Sequence, residues 1–282
     1  MNPHLNPNQR RHASWQLLLA VFSVALLLFV TMRWQPEAWI QSQINTQSKQ
    51  HGITISYDAL QTDGFTIHMD QLSIQTAQLP APFKLDRLSL SPAWSSLLSG
   101  NPGANIQADW NGQMLSAAVI KQADIIDIQS LRGELDVALL QPLLAKKLPL
   151  PVNLNGKANI TGEIQLNASN GHPRLGKINI HWNAAAVDMP PMKMPLGDYA
   201  LTLQTDDIKR AWQWDISGGS ELKLNGKGNL NTSARNPAAW SIRGMVQAQA
   251  DQQAANLSAL LGNKEKQFRI SGNITQPRLQ PL

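Results

Sequence analysis

Apolar and polar residues alternate along most of the chain from residue 53 onward. Successive side chains of a strand point to opposite faces, so this period of two predicts strands with one buried and one solvated face. The alternating segments lie at 53–57, 65–69, 72–74, 88–90, 106–110, 126–128, 135–139, 164–166, 178–182, 201–203, 212–216, 222–224 and 246–250. We therefore expect a mainly β protein with an extended, curved antiparallel β-sheet and a few short helices.

Turn and helix signals separate these segments. Turn-forming residues occur at Asn101-Pro102-Gly103, Asn111-Gly112, Asn155-Gly156, Asn170-Gly171, Gly218-Gly219 and Asn225-Gly226. Short helices are predicted at 92–98, 140–147 and 252–261. A further helix is expected at 33–52, where Pro36 and Glu37 suit a first turn and Gly52 suits the C-terminal end.

One uncharged apolar run, WQLLLAVFSVALLLFVTM, occupies residues 15–32. At helical rise it spans roughly 27 Å, close to the thickness of a bilayer's hydrocarbon core. Arg10 and Arg11 precede the run, Arg33 follows it, and tryptophans flank it as in an aromatic belt. The run therefore predicts a single-pass transmembrane helix.

A cleaved signal peptide is the alternative interpretation of this run. The segment at the C-terminal end of the run, TMRWQPEAW at 31–39, contains no pair of small residues at the spacing of a cleavage site, which favours a retained anchor. A buried core helix is disfavoured because nothing else in the chain is apolar enough to enclose it. We expect a cytoplasmic tail at 1–14, the transmembrane anchor at 15–32, a juxtamembrane helix at 33–52 and a translocated β-rich domain at 53–282.

Two segments of the β-rich region resemble each other. Residues 131–161 and 242–275 each begin with an apolar residue, Arg and Gly, continue as an alternating strand, and reach Ile-Thr through a Leu-Leu pair and a Gly. Duplication of a strand-helix-strand unit is favoured over convergence through similar turns. The proline-rich segments at 149–151 and 187–195 are the candidate seams between subregions.

Composition excludes several classes of function. The 282-residue chain has no cysteine, so thiolate metal sites, cysteine nucleophiles and disulfides are all excluded. Asn and Gln supply 47 residues against 43 charged ones, which indicates that amides provide much of the polar surface. The net charge of +5 is a modest excess spread along the chain, and we expect no nucleic-acid partner.

The histidines show no catalytic arrangement. They stand at positions 4, 12, 51, 68, 172 and 181, and no pair has the helical spacing of a zinc hydrolase. His68 and His181 fall in alternating segments and are assigned to the solvated face. Neither a nucleophile elbow nor a phosphate-binding loop is present.

The carboxylates do not predict acid-base chemistry either. Asp206 and Asp207 are adjacent, so in a strand they would point to opposite faces, and a solvated turn is the better interpretation. Asp124 and Asp127 receive the same interpretation, with a weak divalent-cation site left open. The tryptophans Trp182, Trp212, Trp214 and Trp240 are interpreted as aromatics of the β core or its edges. We therefore predict no catalytic, cofactor-binding or metal-binding residues, no cofactor and no enzymatic activity.

Spaced Gly, Trp and Leu positions between residues 15 and 275 resemble one known family. The segments that carry the likeness are 85–116, 178–205 with Trp182 and Tyr199, the Leu-x-Gly-x-Gly motif at 224–228, and 258–275. They resemble the type II secretion system protein N (GspN) family, with wider similarity to AsmA-like periplasmic proteins. The resemblance implies a bacterial inner-membrane protein with a cytoplasmic N-terminus and a periplasmic β domain, without catalytic residues.

Two functions are consistent with this pattern. The first is a non-enzymatic accessory or assembly component of type II secretion, whose partners are the inner-membrane platform or the secretin, bound through sheet edges and an amide-rich face. The alternative is an AsmA-like module that binds or transfers lipid on an apolar sheet face. An apolar face left open as a groove would distinguish the alternative from the first.

Overall fold

The computed structural model describes residues 37–51, 53–76, 82–141, 153–189, 192–205, 211–234, 239–251, 258, 264–274 and 276–282. The expected anchor at 15–32, the carboxylate pair at 206–207, the seam at 149–151 and most of the helices expected at 140–147 and 252–261 lie outside these residues. Among the described residues, no helix has the length and apolar character needed to cross a membrane.

Strands form most of the described chain, as the period of two predicts. The strands are β1 Ile53–Ser56, β2 Ala59–Asp63, β3 Thr66–Thr76, β4 Phe83–Pro92, β5 Gly103–Trp110, β6 Gln113–Gln122, β7 Ile125–Asp136, β8 Asn153–Asn167, β9 Pro173–Met189, β10 Met192–Thr205, β11 Trp212–Gly218, β12 Leu222–Asn231, β13 Ser241–Ala250, β14 Lys266–Asn273 and β15 Gln276–Pro281. The described residues include the helices α1 Glu37–His51 and α2 Trp94–Leu98 and a 3-10 helix Val137–Leu140. The prediction of a mainly β protein with few helices is confirmed.

The fifteen strands of the described residues all belong to one antiparallel sheet. From β3 to β15 each strand pairs with the next one along the chain, while β1 and β2 both pair with β3. Consecutive antiparallel strands need only short connections, which suits a sequence that alternates strand segments with turn signals.

The register separates apolar from polar residues across the whole sheet. One row of paired residues through β3–β15 holds only apolar residues and glycine: Met69, Leu88, Ala108, Leu115, Gly133, Ile160, Ile180, Leu201, Ile216, Gly226, Val246, Phe268 and Pro281. The adjacent row, one residue away in each strand, is polar except at Met245: His68, Ser89, Gln107, Ser116, Arg132, Thr161, Asn179, Thr202, Asp215, Lys227, Met245, Arg269 and Gln280. Adjacent residues of a strand face opposite ways, so the sheet has one apolar and one polar face.

Three clusters of buried residues lie along the apolar face. The first contains Met69, Leu72 and Leu85, against which Ile44 of α1 packs. The second contains Leu135, Val137 and Ala158, and the third contains Ala185, Met194, Leu196, Tyr199 and Ala250. Trp110 contacts the first two clusters, and Trp182 contacts the second and third. The tryptophans therefore join the clusters into one continuous apolar layer.

Two predicted turns are wrong. Asn111-Gly112 does form the β5–β6 hairpin, with positive φ at both residues. Asn155-Gly156 instead lies inside β8, at a register shift opposite β9, and Asn225-Gly226 lies inside β12. A Cβ on Gly226 would come within 2.6 Å of Val246 Cγ2, so this glycine accommodates a neighbouring strand rather than a turn.

Three further boundaries differ from the prediction. The strand expected at 135–139 ends at Asp136, whose Oδ1 accepts a hydrogen bond from Ala138 N at 2.9 Å and caps the 3-10 helix. Phe65, expected in a strand, lies in the turn before β3. The expected seam at 187–195 is wrong, because β9 and β10 pair through it with Met194 opposite Val187.

Candidate functional site

An apolar groove with a volume of about 670 Å³ lies on the apolar face of the C-terminal half. Its lining comes from every strand between β9 and β15: Ile178, Ile180, Leu201, Leu203, Trp214, Ile216, Leu222, Leu224, Leu230, Ile242, Val246, Ala248, Phe268, Ile270, Ile274, Leu279 and Pro281. Seven flat strands at 4.7–4.9 Å spacing would measure roughly 30 Å across. The groove touches all seven strands and so crosses the full width of this part of the sheet.

Glycines opposite Trp214 make room on the floor of the groove. Trp214 of β11 pairs with Gly228 of β12, which pairs with Gly244 of β13. A Cβ on Gly228 would lie 2.7 Å from the indole, and a Cβ on Gly244 would lie 2.3 Å from it. The indole therefore lies across two adjacent strands, and Trp214 is only 6% exposed.

Polar groups at this face are either hydrogen-bonded or shielded from water. The Tyr199 hydroxyl donates to the carbonyl oxygen of Leu222 at 2.7 Å, and burial raises the pKa of Tyr199 to about 12. Trp182 Nε1 donates to the carbonyl oxygen of Asn155 at 3.0 Å. Trp214 Nε1 is buried without a hydrogen-bond partner among the described residues, which costs about 1–3 kcal/mol.

A recess of about 510 Å³ lies on the opposite, polar face. Glutamines from four strands contribute to its lining: Gln129, Gln165, Gln204 and Gln213. Asp127, Glu163 and Lys177 also line it, and Asp127 accepts a hydrogen bond from Gln129 at 2.6 Å. Gln204 and Gln213 pair across β10 and β11, and both are exposed. The recess therefore offers amide donors and acceptors beside charges of both signs, which suits contact with a polypeptide.

Proline closes the outer edge of β15 to further strands. Among the described residues, β15 pairs only with β14, and Leu282 N donates to the carbonyl oxygen of Gln267 at 2.9 Å. Backbone groups alternate in direction along a strand, so even-numbered residues face β14, while Pro277, Leu279 and Pro281 face outward. Of these three only Leu279 has an N–H group, so this edge is a poor template for strand addition.

The singled-out histidines lie where the sequence places them. His68 and His181 are on strands of the polar face, and His68 Nδ1 lies 2.9 Å from Ser89 Oγ. Asp124 is exposed in a turn, as expected, whereas the turn expected at Asp127 is wrong, because Asp127 lies within β7. The described residues contain no group of three or more His, Asp or Glu side chains that could hold a metal ion.

Sequence patterns reveal the members of the groove but not the groove itself. The lining residues of β9, β10 and β11 all lie in the predicted alternating segments, whereas Leu230 of β12 lies outside them. The Gln204–Gln213 pair carries no sequence signal, because it depends on the register of β10 with β11. The role of Gly228 and Gly244 likewise depends on the position of the Trp214 ring.

Comparisons with known proteins bear on this sheet. Neither a curated protein nor a solved structure gives a significant match to the chain. The family described as type II secretion system (T2SS), protein N, matches residues 68–271, which run from β3 to β14. The match therefore covers most of the chain and almost the whole sheet. The chain belongs to the type II secretion system protein N family.

Proposed function

We propose that this member of the family is a non-enzymatic accessory or assembly component of type II secretion in the bacterial inner membrane. Residues 15–32 anchor it with the N-terminus in the cytoplasm, and the β domain at 53–282 extends into the periplasm. The observation that carries the proposal is the family match over residues 68–271, because it coincides with the sheet that would present the binding surfaces.

The polar recess is the contact surface for other secretion components. Strand addition at β15 is disfavoured by its outward-facing prolines. The recess exposes side-chain amides that hydrogen-bond a partner without the desolvation cost of a buried ion pair. The partner is the inner-membrane platform or the secretin.

Affinity purification of the full-length chain from solubilised membranes of secreting cells tests this proposal. We expect platform or secretin components to co-purify. The double variant Gln204→Arg with Gln213→Arg should lose most of this enrichment, because it introduces two bulky cations at the recess.

The matched control is Gln247→Arg with Gln267→Arg, another exposed cross-strand glutamine pair on the polar face, which should retain the enrichment. If the wild-type chain enriches no more secretion components than an unrelated anchored periplasmic domain does, the proposed function is wrong.

The apolar groove favours lipid binding as the second candidate function. Its volume lies in the range of small-molecule sites, about 300–1,000 Å³, and its lining is almost entirely aliphatic and aromatic. An acyl chain would cover this apolar surface. Leu279 lines the groove from β15 and is 66% exposed, so a substitution there alters the groove with little effect on the core.

Mass spectrometry of lipid retained by the purified full-length chain tests this second candidate. We expect Leu279→Lys to retain less lipid than wild type, because it places an ammonium group at the groove. Gln280→Lys adds the same charge on the polar face and should retain as much as wild type. Equal retention by the two variants would assign the lipid to other parts of the chain and contradict binding in the groove.

A further inference from the structure

Four large apolar side chains are exposed together at one end of the sheet. Trp94 is 54% exposed, Phe65 56%, and Leu98 89%, and Leu97 is also exposed. The Phe65 and Trp94 rings meet edge to face, with centroids 5.1 Å apart. We call Phe65, Trp94, Leu97 and Leu98 the Trp94 patch.

Helix α2 buries a polar side chain and exposes its apolar ones, which is the reverse of a helix that packs on a core. Its buried side chain is Ser96, whose hydroxyl donates to the carbonyl oxygen of Ala93 at 2.8 Å, whereas its tryptophan and two leucines are exposed. A helix of a soluble domain buries its apolar residues. Exposed apolar residues grouped in this way indicate a surface that contacts a membrane, a ligand or another protein.

The sequence around α2 is also uncharged. No Asp, Glu, Lys or Arg occurs between Arg87 and Asp109, a stretch that contains the end of β4, all of α2 and most of β5. Burying this connection in an apolar surrounding therefore transfers no ionised side chain out of water.

The patch lies at the end of the sheet where α1 begins. Glu37, the first residue of α1, accepts a hydrogen bond from Thr62 Oγ1 at 3.1 Å. Thr62 precedes Phe65 by three residues, so their backbones lie within roughly 11 Å of each other. Strands β3 and β4 pair antiparallel with Ile67 opposite Leu90, which places α2 beyond the same end.

Only a short stretch of chain separates this end of the sheet from the expected anchor. Residues 1–36 precede α1, and their apolar run ends at Met32, five residues before Glu37. Whatever their conformation, five residues span at most roughly 18 Å. A membrane reached by the run is therefore close to the Trp94 patch.

We propose that the Trp94 patch binds the interfacial region of the phospholipid bilayer and holds this end of the sheet against the membrane. Tryptophan favours this region because its ring is apolar and its N–H group still reaches water. Two attachments, the anchor and the patch, fix the tilt of the domain, which a single attachment cannot do. This inference rests on the proposed anchor at 15–32.

The absence of native cysteine allows a single-label test in the full-length chain. Leu98→Cys carries an environment-sensitive fluorophore, and the protein is reconstituted in phosphatidylethanolamine and phosphatidylglycerol vesicles with spin-labelled phosphatidylcholine. Met114→Cys is the matched control, since Met114 is 52% exposed beside the hairpin turn at the opposite end of the sheet. We expect blue-shifted, lipid-quenched emission at position 98 and unquenched emission at position 114.

Flotation of the same samples separates this inference from the anchor. If the chain floats with vesicles while the label at position 98 reports water, the patch does not bind lipid and the anchor stands. If the chain does not float, both proposals are wrong. If the label at position 98 is shielded only after a secretion component is added, the patch binds protein and the membrane inference is overturned.

Discussion

Trp214 shows how single residues determine the shape of the apolar face. Its indole covers Gly228 and Gly244, and no other residue type leaves space there for the ring. The Asn225-Gly226 pair resembles a hairpin signal because it contains a glycine, but in the structure that glycine lies inside β12, close to β13. Glycine permits turns and also close packing, and the residue opposite decides between the two uses. Sequence alone does not show that Val246 stands opposite Gly226.

At this scale the pKa of Tyr199 gives a prediction about alkaline pH. Burial raises it from 10.0 to about 12, so between these values the folded chain keeps a proton that the unfolded chain releases. The contribution is complete below pH 10 and is lost as the pH rises towards about 12. We therefore expect the free energy of unfolding to fall over this window.

Denaturant unfolding of wild type and Tyr199→Phe across this window measures the effect. The variant lacks the phenol, so its stability should decline less steeply between pH 10 and 12. At neutral pH it should be about 1 kcal/mol less stable, because the hydrogen bond to Leu222 is lost. A phenolate titration of the Tyr57→Phe variant, which follows Tyr199 alone, should have its midpoint near 12. A midpoint near 10 would contradict the burial.

At the scale of elements, alternation predicts most strands but not where each one stops. Leu135 and Val137 continue a period of two, yet the strand gives way to a 3-10 helix after Asp136. Both apolar residues are buried in the same cluster, so burial does not distinguish strand from helix here. The Asp136 cap is what favours the 3-10 helix over a longer strand here. Aspartate is so common in loops that one such residue does not predict the start of this helix.

The prolines of β15 give a prediction at the same scale. The double variant Pro277→Thr with Pro281→Thr restores two outward N–H groups on the sheet edge. We expect it to self-associate with increasing concentration more than wild type, as measured by analytical ultracentrifugation. Gln280→Thr, whose N–H group faces β14, should behave as wild type does. Identical behaviour of the proline variant and wild type would show that another feature blocks this edge.

At the scale of the molecule, composition and pattern predict a mainly β chain with one apolar and one polar face. They also predict one extended antiparallel sheet, which the described strands form, but not which strands pair out of chain order, because hairpin signals specify only local pairing. At the start of the sheet β1 pairs with β3 and not with β2, the next strand along the chain. No sequence signal predicts this pairing. The groove and the recess depend on this global arrangement, so both follow from the structure rather than from any motif.

The strand order also bears on how the chain is made. From β4 onward, every strand pairs with the strand synthesised just before it. A chain that emerges from its N-terminus therefore presents each new strand with a partner already in place, and no strand waits exposed for a distant one. Loop-closure entropy stays small at every step. From β4 to β15 the described sheet can in this way grow by one strand at a time, as each strand is synthesised.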